Sequence, residues 1–226
     1  MPVCYVIAGP NGAGKSTAAY QLVPAGVEQL NADDIARQIR QQQTHQEIVL
    51  QQTNDELQRR VSGHVQRRES FAVETNLHDS ATWQYFLAFQ KMSYRFELLF
   101  LCTSALPMLY NRVINRYVQG GHFVREDIIR GRYEAGLYWL NQFFDQPDAL
   151  TLIDTTDRLT VVYKRIDGQI SEQAPVLPTW VTAQLSSHFP ILKANVPEPS
   201  VRAADTIEQV RALYQQQRQS TDPANE

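Results

Sequence analysis

Near the start of the chain, Gly9-Pro10-Asn11-Gly12-Ala13-Gly14-Lys15-Ser16 follows the spacing G-x-x-x-x-G-K-S, and Thr17 comes next. Each part has a task that another residue type would perform badly. The glycines let backbone N–H groups turn inward around phosphate oxygens, at the start of a helix whose dipole also favours anions. Lys15 is suited to reach the β- and γ-phosphates, and the Ser16 hydroxyl to ligate Mg²⁺. Residues 9–17 are therefore the expected site for the phosphates of ATP or GTP. Such a loop holds phosphates but does not separate a kinase from a switch GTPase or a mechanical ATPase.

The acceptor side of a transfer reaction needs a base, and Asn31-Ala32-Asp33-Asp34 supplies carboxylates where a second strand should end, on the same rim as the phosphate loop. We assign proton abstraction from a substrate hydroxyl to Asp33 and helix capping to Asp34. A third strand ends in Glu74-Thr75-Asn76, a set placed to bind substrate. Glu74 is suited to substrate hydroxyls or Mg²⁺-bound water, or else to a structural ion pair. Further on, Arg112, Arg116, Arg125, Arg130 and Arg132 surround Gly120-Gly121-His122, and residues 112–132 carry +3 in a chain of net charge −3. Arg116 and Arg125 are assigned to the phosphoryl group in flight, where an arginine contributes roughly 10³ to 10⁵ in rate. Arg112, His122 and Arg132 are assigned to substrate binding. At least two of the five arginines should be solvated surface charges, and a histidine at a helix end also caps or packs.

The elements that must position these residues follow from periodicity. Residues 3–8 form a continuous apolar run of strand length, which stops at turn formers before the loop. Further strands are expected at 27–31, 70–74, 96–103 and 149–154, with 160–165 and 169–170 as a hairpin about Asp167-Gly168. Helices are expected at 15–22, as two surface segments within 34–68, and at 83–91, 107–118 and 125–144. Tyr133, Tyr138, Trp139, Phe143 and Phe144 read as packing of the last of these. Alternating strands and helices give an α/β P-loop NTPase fold: a mostly parallel sheet of about five strands, helices on both faces, and an arginine-bearing lid at about 105–145. The expected kinase domain spans 1–190. A proline- and glutamine-rich tail, 191–226, carries a short helix capped by Asp205 and Glu208, with Ile207, Val210 and Tyr214 on one side.

The chain has 226 residues, 43% of them hydrophobic, enough for one core that needs no staple. Its net charge gives no basic field for nucleic acid or membranes, and no run of about 18 apolar residues suggests a span. Cys4 and Cys102 each sit in a strand-like run and read as free core thiols of a cytoplasmic protein. A nucleotide-driven binding or mechanical ATPase stays open, with Asp154 of Leu152-Ile153-Asp154 as its metal-side carboxylate. No L-S-G-G-Q or N-K-x-D sequence occurs.

Residues 8–17, Asn31-Ala32-Asp33, residues 70–77 and the arginine-rich stretch 112–133, in this order, resemble the zeta toxin family of P-loop kinases. The resemblance is to its compact branch, also described as ABC-type ATPases, and it covers roughly residues 1–170. It implies transfer of the γ-phosphate to a hydroxyl of a UDP-activated amino sugar, and restraint by a small antitoxin that blocks the nucleotide site. By the same resemblance Lys15 and Ser16 serve nucleotide and Mg²⁺, Asp33 is the general base, Glu74 holds the substrate, and lid arginines stabilise the transferred phosphate.

Overall fold

In the computed structural model of the chain, residues 1–119, 121 and 123–189 are described. Gly120, His122 and the expected tail helix lie outside them. A first compact unit runs Met1–Leu185 and a second begins at Ser186.

The first apolar run forms β1 (Val3–Ala8), and the glycine-rich loop leads into α1 (Lys15–Leu22). β2 (Glu28–Asn31) passes directly into α2 (Ala32–Arg40), then α3 (Gln46–Arg67), β3 (Phe71–Thr75) and α4 (Ser80–Lys91). β4 (Arg95–Cys102) precedes α5 (Leu106–Val118), which has a proline in its first turn, where a missing N–H costs nothing. α6 (Glu126–Gln142), β5 (Ala149–Asp154), β6 (Thr160–Ile166), β7 (Gln169–Gln173) and α7 (Thr179–Gln184) complete the unit.

The strand order is β2-β3-β1-β4-β5-β6-β7. The first five strands are parallel, and the hairpin joins antiparallel at the β5 edge. The sheet thus has seven strands rather than about five, because the hairpin extends the same sheet.

Alternation along the strands divides the core into two layers. Ile7, Ala72, Leu99, Leu101 and Ile153 pack with Ala18 and Ala19 of α1, Leu109 and Val113 of α5 and Ile129 of α6. On the other face Phe71 meets Phe89 of α4, Phe96 meets Trp83 and Phe86, and His64 of α3 stacks on Phe71. The rings just past α6 pack as well, with Phe143 stacked on Trp83 and Phe144 against Tyr163, whereas Tyr138 within the helix is exposed rather than packed. Each such ring pair contributes about 0.5–1.5 kcal/mol beyond its buried area. Cys4 and Cys102 are buried and free, and burial pushes both thiols up. Among the described residues no helix is long and apolar enough to cross a membrane.

Candidate active site

The phosphate loop sits where β1 ends, between β3 and β4. Gly9 adopts φ 140°, and a Cβ there would lie 2.1 Å from the Leu101 carbonyl oxygen. A side chain at Gly12 would similarly meet the backbone oxygen of Leu109 at 2.6 Å. The loop is therefore wedged between β4 and α5, and Gly14 caps α1. Lys15, Ser16 and Thr17 form the first turn of that helix, where N–H groups lack intrahelical partners.

Lys15 is buried, and its Nζ donates to the carbonyls of Gly9 (2.9 Å) and Pro10 (3.1 Å) and to Asn76 Oδ1 (3.2 Å). Burial pulls its ammonium down to about 8, although Glu74 and Asp33 oppose the shift. Phosphate beside the ammonium would raise that value again. Nucleotide binding above pH 8 should therefore take up a proton, and affinity should fall by up to about tenfold per pH unit. Calorimetry in buffers of different ionisation heats reads this uptake, and Lys15→Met should abolish it together with most of the affinity.

Asn31 and Glu74 are direct register partners across β2 and β3. Glu74 Oε2 accepts from both Asn31 Nδ2 and Ser16 Oγ, each at 2.8 Å. A serine hydroxyl and a carboxylate brought together beside a phosphate loop are hard oxygen donors of the kind Mg²⁺ takes.

The cap of α2 differs from expectation. Asn31, not Asp34, caps the helix: its Oδ1 accepts from the Asp33 N–H at 2.8 Å, because β2 turns into α2 with no intervening loop. Asp34 points to solvent and pairs with Arg37 at 3.0 Å. Asp33 consequently lies in the first turn of α2 and lines three cavities. One, of about 290 Å³, also holds Lys15, Glu74, Thr75, Asn76 and Arg116. A second, of about 440 Å³, holds Asn11, Asn76, Arg125 and Arg132. The third runs along α2.

The arginines separate by partner. Arg116 joins Asp33 in the first cavity, and Arg132 donates to Asn11 Oδ1 at 2.8 Å. Arg125 lines the second cavity but is exposed and pairs with Asp127 through Nε at 2.9 Å. Arg130 pairs with Glu126. Arg112 is not brought to Asp33: it donates to the Gly12 carbonyl, to the hydroxyl and carbonyl of Thr155, and to the Thr156 carbonyl, tying the phosphate loop to the turn after β5. Asp154, the carboxylate of the ATPase reading, is placed away from the strands that flank the phosphate loop. It lies two strands from β1, and its oxygens accept from the Thr156 N–H and Trp180 Nε1.

Sequence reasoning missed the wall opposite Asp33. Leu57, Gln58 and Val61 of α3 and Thr82, Tyr85 and Phe86 of α4 line the first cavity. Leu57 and Val61 carry a periodic signal, but that signal marks a helix face without saying whether it covers a core or a cavity.

The profile of the AAA domain family matches residues 5–143. No curated protein matches the chain by sequence. Among solved structures, a chain of the AvrRxo1-ORF1:AvrRxo1-ORF2 complex with ATP matches with TM-score 0.61 at 15% identity, covering 89% of this chain and 65% of that one. This chain thus spans slightly less than two thirds of that relative. A chain of the PezAT chromosomal toxin–antitoxin system of Streptococcus pneumoniae matches with TM-score 0.57 at 13% identity, covering 92% and 85%. A candidate kinase from Chloroflexus aurantiacus matches with TM-score 0.53 at 18% identity, covering 69% and 89%. At these identities the likenesses concern the fold, that of P-loop NTPases. The family profile reaches from β1 through the phosphate loop, Asp33 and Glu74 to the end of α6, more than half of the chain, which makes this protein a member of the AAA domain family.

Proposed function

We propose that the protein is a zeta-toxin-like phosphotransferase that moves the γ-phosphate of ATP or GTP to a hydroxyl of a small molecule. The observation that carries this reading is the place of Asp33, whose cavity also contains Lys15 and Glu74 and is walled by α3 and α4. A hydrolase needs room for water, whereas this chamber suits an organic acceptor with both polar and apolar parts.

The Asp33 carboxylate takes the proton of the acceptor hydroxyl while that oxygen bonds to the γ-phosphorus. The bond from phosphorus to the bridging oxygen breaks, and the nucleoside diphosphate leaves. Lys15 neutralises the β- and γ-phosphates, and Arg116 and Arg132, with Arg125 at the mouth, offset the charge of the group in flight. Glu74, Thr75 and Asn76 orient the acceptor. Mg²⁺, held through Ser16 and Glu74, would supply further neutralisation of the phosphates.

By resemblance the acceptor is a UDP-activated amino sugar, and a small antitoxin protein is the expected restraint. The domain is proposed to span 1–190, followed by the tail, and the two free thiols suit a cytoplasmic setting. Transfer of ³²P from ATP or GTP to a panel of UDP-sugars and other small alcohols tests the reading. A labelled acceptor is expected, and release of free phosphate alone across the panel would favour an ATPase.

A further inference from the structure

A loop that offers its N–H groups to phosphate must turn its carbonyls elsewhere, and each carbonyl needs a donor there. Two carbonyls are held from within the motif: Lys15 Nζ donates to those of Gly9 and Pro10, and the Ala13 N–H donates to that of Pro10 at 3.2 Å. The Gly12 carbonyl is held from outside, by Arg112 Nη1 of α5 at 3.4 Å. α5 meets Gly12 a second time at Leu109, whose backbone oxygen leaves no room for a Cβ there.

Arg112 is itself aimed by the turn after β5. Its Nη2 donates to the carbonyls of Thr155 (2.5 Å) and Thr156 (3.1 Å), and its Nη1 to the Thr155 hydroxyl at 3.3 Å. All four acceptors are neutral oxygens, which a planar fork can engage together and a lysine ammonium cannot hold in one geometry. The turn is fixed on both sides. Thr155 is buried, and its N–H and hydroxyl donate to the Cys102 carbonyl at the end of β4. Asp154 Oδ1 accepts from the Thr156 N–H at 2.9 Å, and its Oδ2 accepts from Nε1 of Trp180, a buried residue of α7, at 2.8 Å. Hydrogen bonds thus run without a gap from Trp180 through Asp154, Thr156 and Arg112 to Gly12, and neither Asp154 nor Arg112 lines a cavity that Asp33 lines.

We propose that Asp154 and Arg112 are positioning residues for the phosphate loop: the carboxylate fixes the turn, the turn aims the guanidinium, and the guanidinium holds the Gly12 carbonyl away from bound phosphate. This rests on the reading of residues 9–17 as a phosphate site and is independent of the acceptor. It gives Asp154 a part in donor binding without contact to metal or nucleotide.

The test is a double-mutant cycle on the full chain, read as affinity for a non-hydrolysable ATP analogue and for inorganic tripolyphosphate, both with Mg²⁺. Asp154→Asn leaves one acceptor oxygen for two donors, and Arg112→Gln removes the fork. Each should weaken both ligands by about tenfold, the worth of a hydrogen bond to a charged group. The double variant should lose no more than the more affected single one, because both act through the same chain of bonds. Arg112→Lys keeps the charge without the fork and should bind as poorly as Arg112→Gln. Thermal unfolding of each variant sets a temperature at which all are folded, so that a general loss of stability leaves these affinities unmoved. Additive losses, unchanged affinity in Asp154→Asn, recovery by lysine, or a loss confined to the ATP analogue would each overturn the assignment. No transfer is measured, so a failed search for the acceptor leaves this result standing. If the wild-type chain binds neither ligand, the phosphate-site reading falls, and this assignment with it.

Discussion

Asp33→Asn should lower kcat by about 10² to 10⁴ while nucleotide affinity changes by no more than about twofold. The substitution is nearly isosteric and removes the ability to take a proton, together with one of the two negative charges that hold up the Lys15 ammonium. It should leave helix α2 in place, since the cap is the Asn31 side chain accepting from the backbone of residue 33, which asparagine retains. Asp33 is also absent from the hydrogen bonds of Lys15, whose partners are Gly9, Pro10 and Asn76. Single-turnover transfer and equilibrium binding of a nucleotide analogue, measured on the same preparation, separate the two effects. Transfer at the wild-type rate would remove Asp33 from the mechanism, and a matched loss of nucleotide binding would make its role one of loop support.

Among the described glycines, Gly9→Ala should be the most damaging change to alanine. Backbone at φ 140° is open to glycine and strained for any L-residue, and the added Cβ would lie 2.1 Å from the Leu101 oxygen. Neither neighbour can yield cheaply, because Gly9 follows directly on β1 and Leu101 belongs to β4, the partner strand of β1. Overpacking costs about 1–3 kcal/mol and a disallowed backbone about 1–2 kcal/mol, so a loss of about 3–4 kcal/mol is expected. In a domain of this size that lowers Tm by roughly 10 °C. Thermal unfolding reads the first effect, and loss of phosphate binding by the displaced loop reads the second. Gly14→Ala is an internal contrast, because nothing lies within 4 Å of its added carbon, leaving only the cost of its left-handed backbone.

How much of this was legible depends on whether the signal was local. The phosphate loop has a fixed spacing, and β1 and β4 are unbroken apolar runs, so those elements needed no tertiary knowledge. Glu74 is legible because it follows a short apolar stretch, and Asp33 because it stands just past the expected end of a second strand. The register of Asn31 with Glu74 across β2 and β3, which gives Glu74 one of its two donors, was not readable, since strand pairing is a long-range property. The hairpin was visible in its turn residues, but its joining the main sheet was not. Arginine chemistry was the least legible. Arg112 and Arg116 stand four apart on one helix, yet one is bound by backbone oxygens and the other lines the cavity with Asp33. Residue type cannot tell those environments apart.

The direct passage of β2 into α2 bears on what kinds of sequence change the site can absorb. Asn31 ends the strand, caps the helix and donates to Glu74, and Asp33 follows two residues later. With no loop between them there is no slack. One residue inserted after Asn31 would carry the carboxylate about 100° around the helix and 1.5 Å along it, turning it away from the three cavities it lines. Length is thus conserved by geometry at this junction, whereas the exposed face of the same helix can vary in composition without moving Asp33.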